Sequence, residues 1–101
     1  EVRFVAGDDI ALSPANGHSV ACIGAYQANP RTAPAYFRDF QGLMARFAGR
    51  PHWGKTFHRD GEDLAPLYPR WADFAALRAR MDPHGVFRNA FVDRLFPPGE
   101  A

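Results

Sequence analysis

β-structure is signalled only near the start of this 101-residue chain. Val2 to Ala6 clusters apolar residues as a strand does, and Ser19 to Tyr26 repeats the pattern with Val20, Cys22, Ile23, Ala25 and Tyr26. Everything after Asn29-Pro30 reads as helix or loop. Two strands do not hold a sheet together in water without a further layer or a third strand. The sequence therefore predicts an α+β fold in which a small antiparallel sheet is packed with two to four helices. It also predicts that part of the sheet's support lies outside this chain. The opening on Glu1, without a methionine and directly in a strand, points the same way. The chain reads as a piece of a longer polypeptide whose remainder covers apolar surface here.

The connection between the strands holds Gly7-Asp8-Asp9 and Ser13-Pro14-Ala15-Asn16-Gly17, loop chemistry too long for a tight hairpin. A helix is expected from about Pro34 to Ala48, capped near Thr32, with Pro34 in its first turn and Gly49 as its stop. Phe37, Phe40, Leu43, Met44 and Phe47 fall on one face of it, a stripe that reads as core. Gly61 to Leu64 starts a short helical turn limited by Pro66 and Pro69. A further helix runs from about Arg70 to Met81, with Trp71, Phe74, Leu77 and Met81 on its buried side. Asp82-Pro83-His84-Gly85 closes it, because proline biases Asp82 away from helical geometry and glycine permits a reversal. A last helix, Ala90 to Phe96, offers Phe91, Leu95 and Phe96 as anchors. Residues 1–96 thus form one unit, and 97–101 a frayed tail.

Composition narrows the function. Hydrophobic residues make up 47% and aromatics 14%, which excludes disorder along most of the length. A net charge of +1 with scattered arginines gives no field for nucleic acid. No apolar run approaches the roughly 20 residues of a membrane span, and no secretory signal is visible. The expected location is the cytoplasm, with peripheral membrane association left open. The single cysteine, Cys22, excludes an internal disulfide and a multi-cysteine metal site. Its apolar strand context reads as a buried, inert thiol. His18, His58 and His84 lie in polar loops without zinc spacing, so no metal is expected. Asp8 and Asp9 read as turn formers.

Two groups of residues could carry chemistry. Glu1 and Arg3 stand two apart on a strand and so share a face. A carboxylate beside a guanidinium offers acceptor and donor together, which suits the vicinal hydroxyls of a sugar or polyol. Spacing alone favours the plainer reading of a surface ion pair. The second group is Pro51-His52-Trp53-Gly54-Lys55. Lys55 is the only lysine among the 12 basic residues. It could place an ammonium where negative charge develops, or sit in solvent. His52 and Trp53 could line a pocket, or Trp53 could pack on a helix while His52 bonds a backbone carbonyl.

Several stretches together carry a resemblance. Glu1-Val2-Arg3-Phe4 is followed by Gly7-Asp8-Asp9 and Leu12-Ser13-Pro14. Then come Gly49-Arg50-Pro51-His52-Trp53-Gly54-Lys55, Tyr68-Pro69, and Asp82-Pro83 with Gly85, Phe87, Asn89 and Leu95. In this order the chain resembles the C-terminal part of the sugar-1,4-lactone oxidases, flavoproteins of the vanillyl-alcohol-oxidase type. That group includes D-arabinono- and L-gulono-1,4-lactone oxidases, with alditol oxidase as a relative.

The resemblance implies a fragment of the substrate (cap) domain of an FAD-linked oxidase. FAD would be held mainly by an N-terminal domain of the same polypeptide that is not in this chain. Glu1 and Arg3 match a Glu-x-Arg pair that orients the hydroxyls of a sugar lactone or polyol. Lys55 matches the lysine of a His-Trp-Gly-Lys motif near the flavin and the substrate, a catalytic and binding role. His52 and Trp53 would shape the cofactor wall. Alditol oxidases carry a histidine and a threonine in the strand that here reads Cys22-Ile23-Gly24-Ala25-Tyr26-Gln27. Their absence favours an aldonolactone over a linear alditol. A non-catalytic fragment kept for its contacts is the reading of another class.

Overall fold

The computed structural model describes residues 1–99. Strands β1 (Val2–Val5) and β2 (Val20–Ile23) form one antiparallel ribbon. Its register pairs Val2 with Ile23, Arg3 with Cys22, Phe4 with Ala21 and Val5 with Val20. Four helices follow: α1 (Ala33–Ala45), α2 (Gly61–Leu64), α3 (Trp71–Met81) and α4 (Ala90–Leu95). A 3-10 turn, Ala65–Leu67, continues α2. The α+β class and the element order are those expected from sequence.

The packing of sheet on helices is corrected. No Cα of either strand comes within 8 Å of a helix. The molecule is flat, measuring 40 × 33 × 19 Å with the ribbon included. Period-2 alternation marks faces able to be covered, and the described residues supply nothing to cover them. Phe4 is 86% exposed, and β2, read as buried on both faces, is largely open. Cys22 is accordingly exposed, not buried as its apolar neighbours implied.

The α1 stripe is corrected for the same reason. Phe37, Phe40 and Met44 are half-buried, but Leu43 and Phe47 stand exposed, Phe47 at 73%. Helical periodicity puts them on one side, and no described element packs over it. Proline in the first turn starts the helix, and Thr32 caps it without a side-chain bond. At the other end the left-handed residue is Ala48, at φ 53°, rather than Gly49. Gly49 serves by its size, since its N–H donates to Met44 O at 2.9 Å and a Cβ there would meet the same oxygen at 2.9 Å.

The core lies elsewhere. Phe57, Leu64, Tyr68 and Leu95 are buried together, flanked by Leu12, Trp53, Leu67, Trp71 and Phe96. Asp60 and Asp63 cap α2 reciprocally, each side chain accepting from the other's backbone N–H. Asn89 Oδ1 starts α4 by accepting from Val92 N–H at 2.9 Å. Trp71 stacks on Phe96 at 4.7 Å between ring centroids, tying α3 to the end of α4. Of the buried side proposed for α3, Trp71 and Phe74 are half-buried, whereas Leu77 and Met81 are exposed. The proposed tail begins at Pro97, and Glu100 and Ala101 lie outside the described residues.

Candidate functional site

The ribbon's pleat places Glu1 and Arg3 on one face, as their spacing required. Arg3 Nε donates to Glu1 Oε1 in an ion pair. A third residue joins them: the Tyr26 hydroxyl donates to Glu1 Oε2 at 2.8 Å. Both carboxylate oxygens are thus engaged, by donors from the two sides of the ribbon. The Arg3 bond first, and the Tyr26 bond second, hold the Glu1 carboxyl below the usual carboxylate range. The Arg3 guanidinium is correspondingly raised, chiefly by its bond to Glu1. Tyr26 escaped the sequence reading because it looked like one more apolar strand residue. Its only sequence signal was its place two residues after Gly24, just past the end of β2.

The second group forms a tight turn. Lys55 N–H donates to His52 O at 3.1 Å, and Gly54 N–H donates to His52 Nδ1 at 3.0 Å. His52 therefore stabilises its own turn as an acceptor, instead of bonding a backbone carbonyl. Trp53 points inward. Its indole N–H donates to Leu12 O at 2.7 Å, and its ring lies 5.4 Å from Tyr68 and 5.9 Å from Phe57. With the indole pinned inside, Lys55 is left outside, exposed, and its ammonium has no hydrogen bond or ion pair among the described residues.

Arg50, just before this turn, is a structural residue the sequence reading did not single out. Its Nε donates to Leu67 O at 2.9 Å and its Nη1 to Asn16 O at 2.8 Å. Its guanidinium carbon lies 4.8 Å over the Tyr68 ring. Asp8 is a loop former, accepting from Ile10 N–H at 3.0 Å and from the Ser13 hydroxyl at 2.6 Å.

Glu1, Arg3 and Tyr26 form one cluster, and His52, Trp53 and Lys55 another. No hydrogen bond or ion pair joins them among the described residues. Two shallow surface hollows are lined by residues of neither cluster. One lies on the ribbon between Phe4 and Ala21, the other between α3 and Phe96.

The D-arabinono-1,4-lactone oxidase family matches residues 1–95. An L-gulono-1,4-lactone dehydrogenase of Mycobacterium tuberculosis is 42% identical over 98 residues, covering 97% of this chain and 23% of that protein. An L-gulonolactone oxidase of Bos taurus is 34% identical over 100 residues, 95% of this chain and 23% of that protein. An alditol oxidase of a Streptomyces species is 38% identical over 96 residues, 94% of this chain and 23% of that protein. The chain belongs to the D-arabinono-1,4-lactone oxidase family. It spans about a quarter of the length of the curated relatives it matches.

Proposed function

We propose that this chain is the substrate-binding part of an FAD-dependent oxidoreductase that oxidises an aldono-1,4-lactone, D-arabinono- or L-gulono-1,4-lactone, at a CH–OH group. The observation that carries the reading is the Glu1–Arg3 pair. It is exposed, it anchors no buried element, and its carboxylate is held by two donors. A surface ion pair of that kind contributes little to stability. A fixed acceptor beside a fixed donor suits recognition of adjacent hydroxyls.

Residues 1–96 form the unit that meets substrate, and the groups that hold the dinucleotide belong to an N-terminal domain of the same polypeptide. The chain's own fit to a flavin rests on Lys55, an exposed ammonium without a partner among the described residues. Such a group suits an electron-rich ring edge, where it stabilises negative charge. FAD, when bound, supplies the hydride acceptor. Glu1 and Arg3 orient the lactone's hydroxyls, Lys55 supplies positive charge, and the turn around His52 and Trp53 fixes where that charge stands. We place its work in the cytoplasm, with peripheral association at a membrane as the alternative.

Anaerobic mixing of the full-length protein with L-gulono-1,4-lactone and with xylitol tests this. Bleaching of the flavin by the lactone at lower concentration and higher rate than by xylitol is expected. Preferential bleaching by xylitol would make it an alditol oxidase, and no bleaching by either would leave a non-catalytic fragment.

A further inference from the structure

We propose that Tyr26 is a positioning residue of the substrate site, holding the Glu1 carboxylate in the orientation that receives a substrate hydroxyl. The inference rests on the reading of Glu1 and Arg3 as the hydroxyl-binding pair.

An ionised carboxylate has about four lone-pair sites. Arg3 takes one on Oε1 and the Tyr26 hydroxyl takes one on Oε2, at 2.8 Å. Two donors on different oxygens stop the carboxylate from turning about its own axis. One lone pair on each oxygen remains open to a ligand. With Arg3 alone, the second oxygen would be restrained only through the first.

The ribbon is built to let the tyrosine reach. Gly24 N–H donates to Glu1 O at 2.8 Å, which sets Gly24 directly across from Glu1. Tyr26, two residues on, folds its ring back over this point. A Cβ at Gly24 would stand 3.2 Å from Tyr26 Cε2 and 3.2 Å from its hydroxyl oxygen, tighter than ordinary contact. A side chain at position 24 would press on the Tyr26 ring and push it a few tenths of an ångström from its place over Glu1. Cys22, opposite Arg3 on the same face, leaves Tyr26 as the strong donor from the β2 side. Tyr26 is 74% exposed, so its ring secures no core.

The groups facing Glu1 are Arg3 and Tyr26, with Cys22 beside Arg3. Removing the tyrosine hydroxyl takes away one of the two bonds that favour the ionised carboxylate. The carboxylate should then protonate at higher pH.

The test uses the full-length flavoprotein with Tyr26→Phe and, separately, Gly24→Ala. Flavin reduction is followed anaerobically against substrate concentration and pH, with whichever of L-gulono-1,4-lactone or xylitol bleaches the parent. In both variants the apparent Kd should rise about 3- to 10-fold, the range of one hydrogen bond to a charged group in partial solvent. The limiting rate should change less, the acid limb should move to higher pH, and the melting temperature should not move. Adding Tyr26→Phe to a Glu1→Gln background should cause no further loss, because the tyrosine acts through Glu1. A parent that neither compound bleaches overturns the site reading and this inference together. A bleached parent with an unchanged Kd and acid limb in Tyr26→Phe overturns the role of Tyr26 alone. A loss that tracks a lowered melting temperature in both variants assigns Tyr26 to folding and also overturns it.

Discussion

Trp53 donates its indole N–H to the carbonyl oxygen of Leu12 at 2.7 Å, closing a loop of 41 residues between the two halves of the chain. The bond makes the tryptophan of the His-Trp-Gly-Lys turn a structural anchor first. Trp53→Phe keeps a ring among Phe57, Tyr68 and Trp71 but leaves the Leu12 carbonyl without this donor. It also leaves space where the larger indole packed. We predict a loss of about 2–4 kcal/mol, combining the unmade bond with the underfilled site. Urea unfolding of the full-length protein, read by far-UV circular dichroism, checks the value. An unchanged midpoint would show that the indole bond anchors nothing.

Lys55 should behave in the opposite way. Its side chain is exposed and makes no ion pair among the described residues. Lys55→Met should leave the midpoint of unfolding within about 0.5 kcal/mol of the parent, as is usual for such surface changes. The limiting rate of flavin reduction should fall on the order of a hundredfold, the effect of removing one fixed donor from developing negative charge. Equal reduction rates in variant and parent would remove Lys55 from the site.

The contrast between these neighbours shows what the sequence could and could not convey. Proline and glycine placed the C-terminal end of α3 correctly, since Asp82-Pro83 and Gly85, the last at φ 66°, act through local backbone sterics. Burial was misread because periodicity reports which faces are apolar, and not what covers them. Phe4, Phe47 and Met81 follow their patterns and still stand open, since no described element packs over them. The Glu1–Arg3 pairing was legible because it depends only on strand pleat. Tyr26 depends on cross-strand register and on the space above Gly24, neither of which a single strand reveals. The inward turn of Trp53 depends on a carbonyl 41 residues away.

Arg50 gives a prediction of the same non-local kind. Its guanidinium gathers the carbonyls of Leu67 and Asn16 while lying over Tyr68. Pro14 O at 3.2 Å shares the same nitrogen. A lysine keeps the charge but loses the planar fork that serves two chain segments at once. Arg50→Lys should cost about 1–3 kcal/mol, the range for leaving part-buried acceptors short of a donor. Unfolding of the full-length protein measures it, and Arg50→Lys with parental stability would reduce Arg50 to a surface cation.

Tyr68 is 2% exposed, and its hydroxyl has no hydrogen-bond partner among the described residues. Burial pushes its phenol up to about 12, against a nearby Arg50 that pulls the other way. In the unfolded chain the phenol ionises near its ordinary pKa of about 10. From that pH upward the unfolded state binds fewer protons than the folded one, so stability falls as pH rises. The loss should begin near pH 10 and level off above about 12, reaching about 2–3 kcal/mol. Tyr68→Phe removes both the unmet hydroxyl and the titration. At pH 7 it should therefore be neutral or slightly stabilising. Between about pH 10 and pH 12 it should abolish this share of the alkaline decline. Unfolding midpoints of parent and variant at pH 7, 9, 10 and 11 (about one pH unit apart across the phenol's range) decide the matter. Parallel declines in the two proteins would show that the buried phenol is not what fails in alkali.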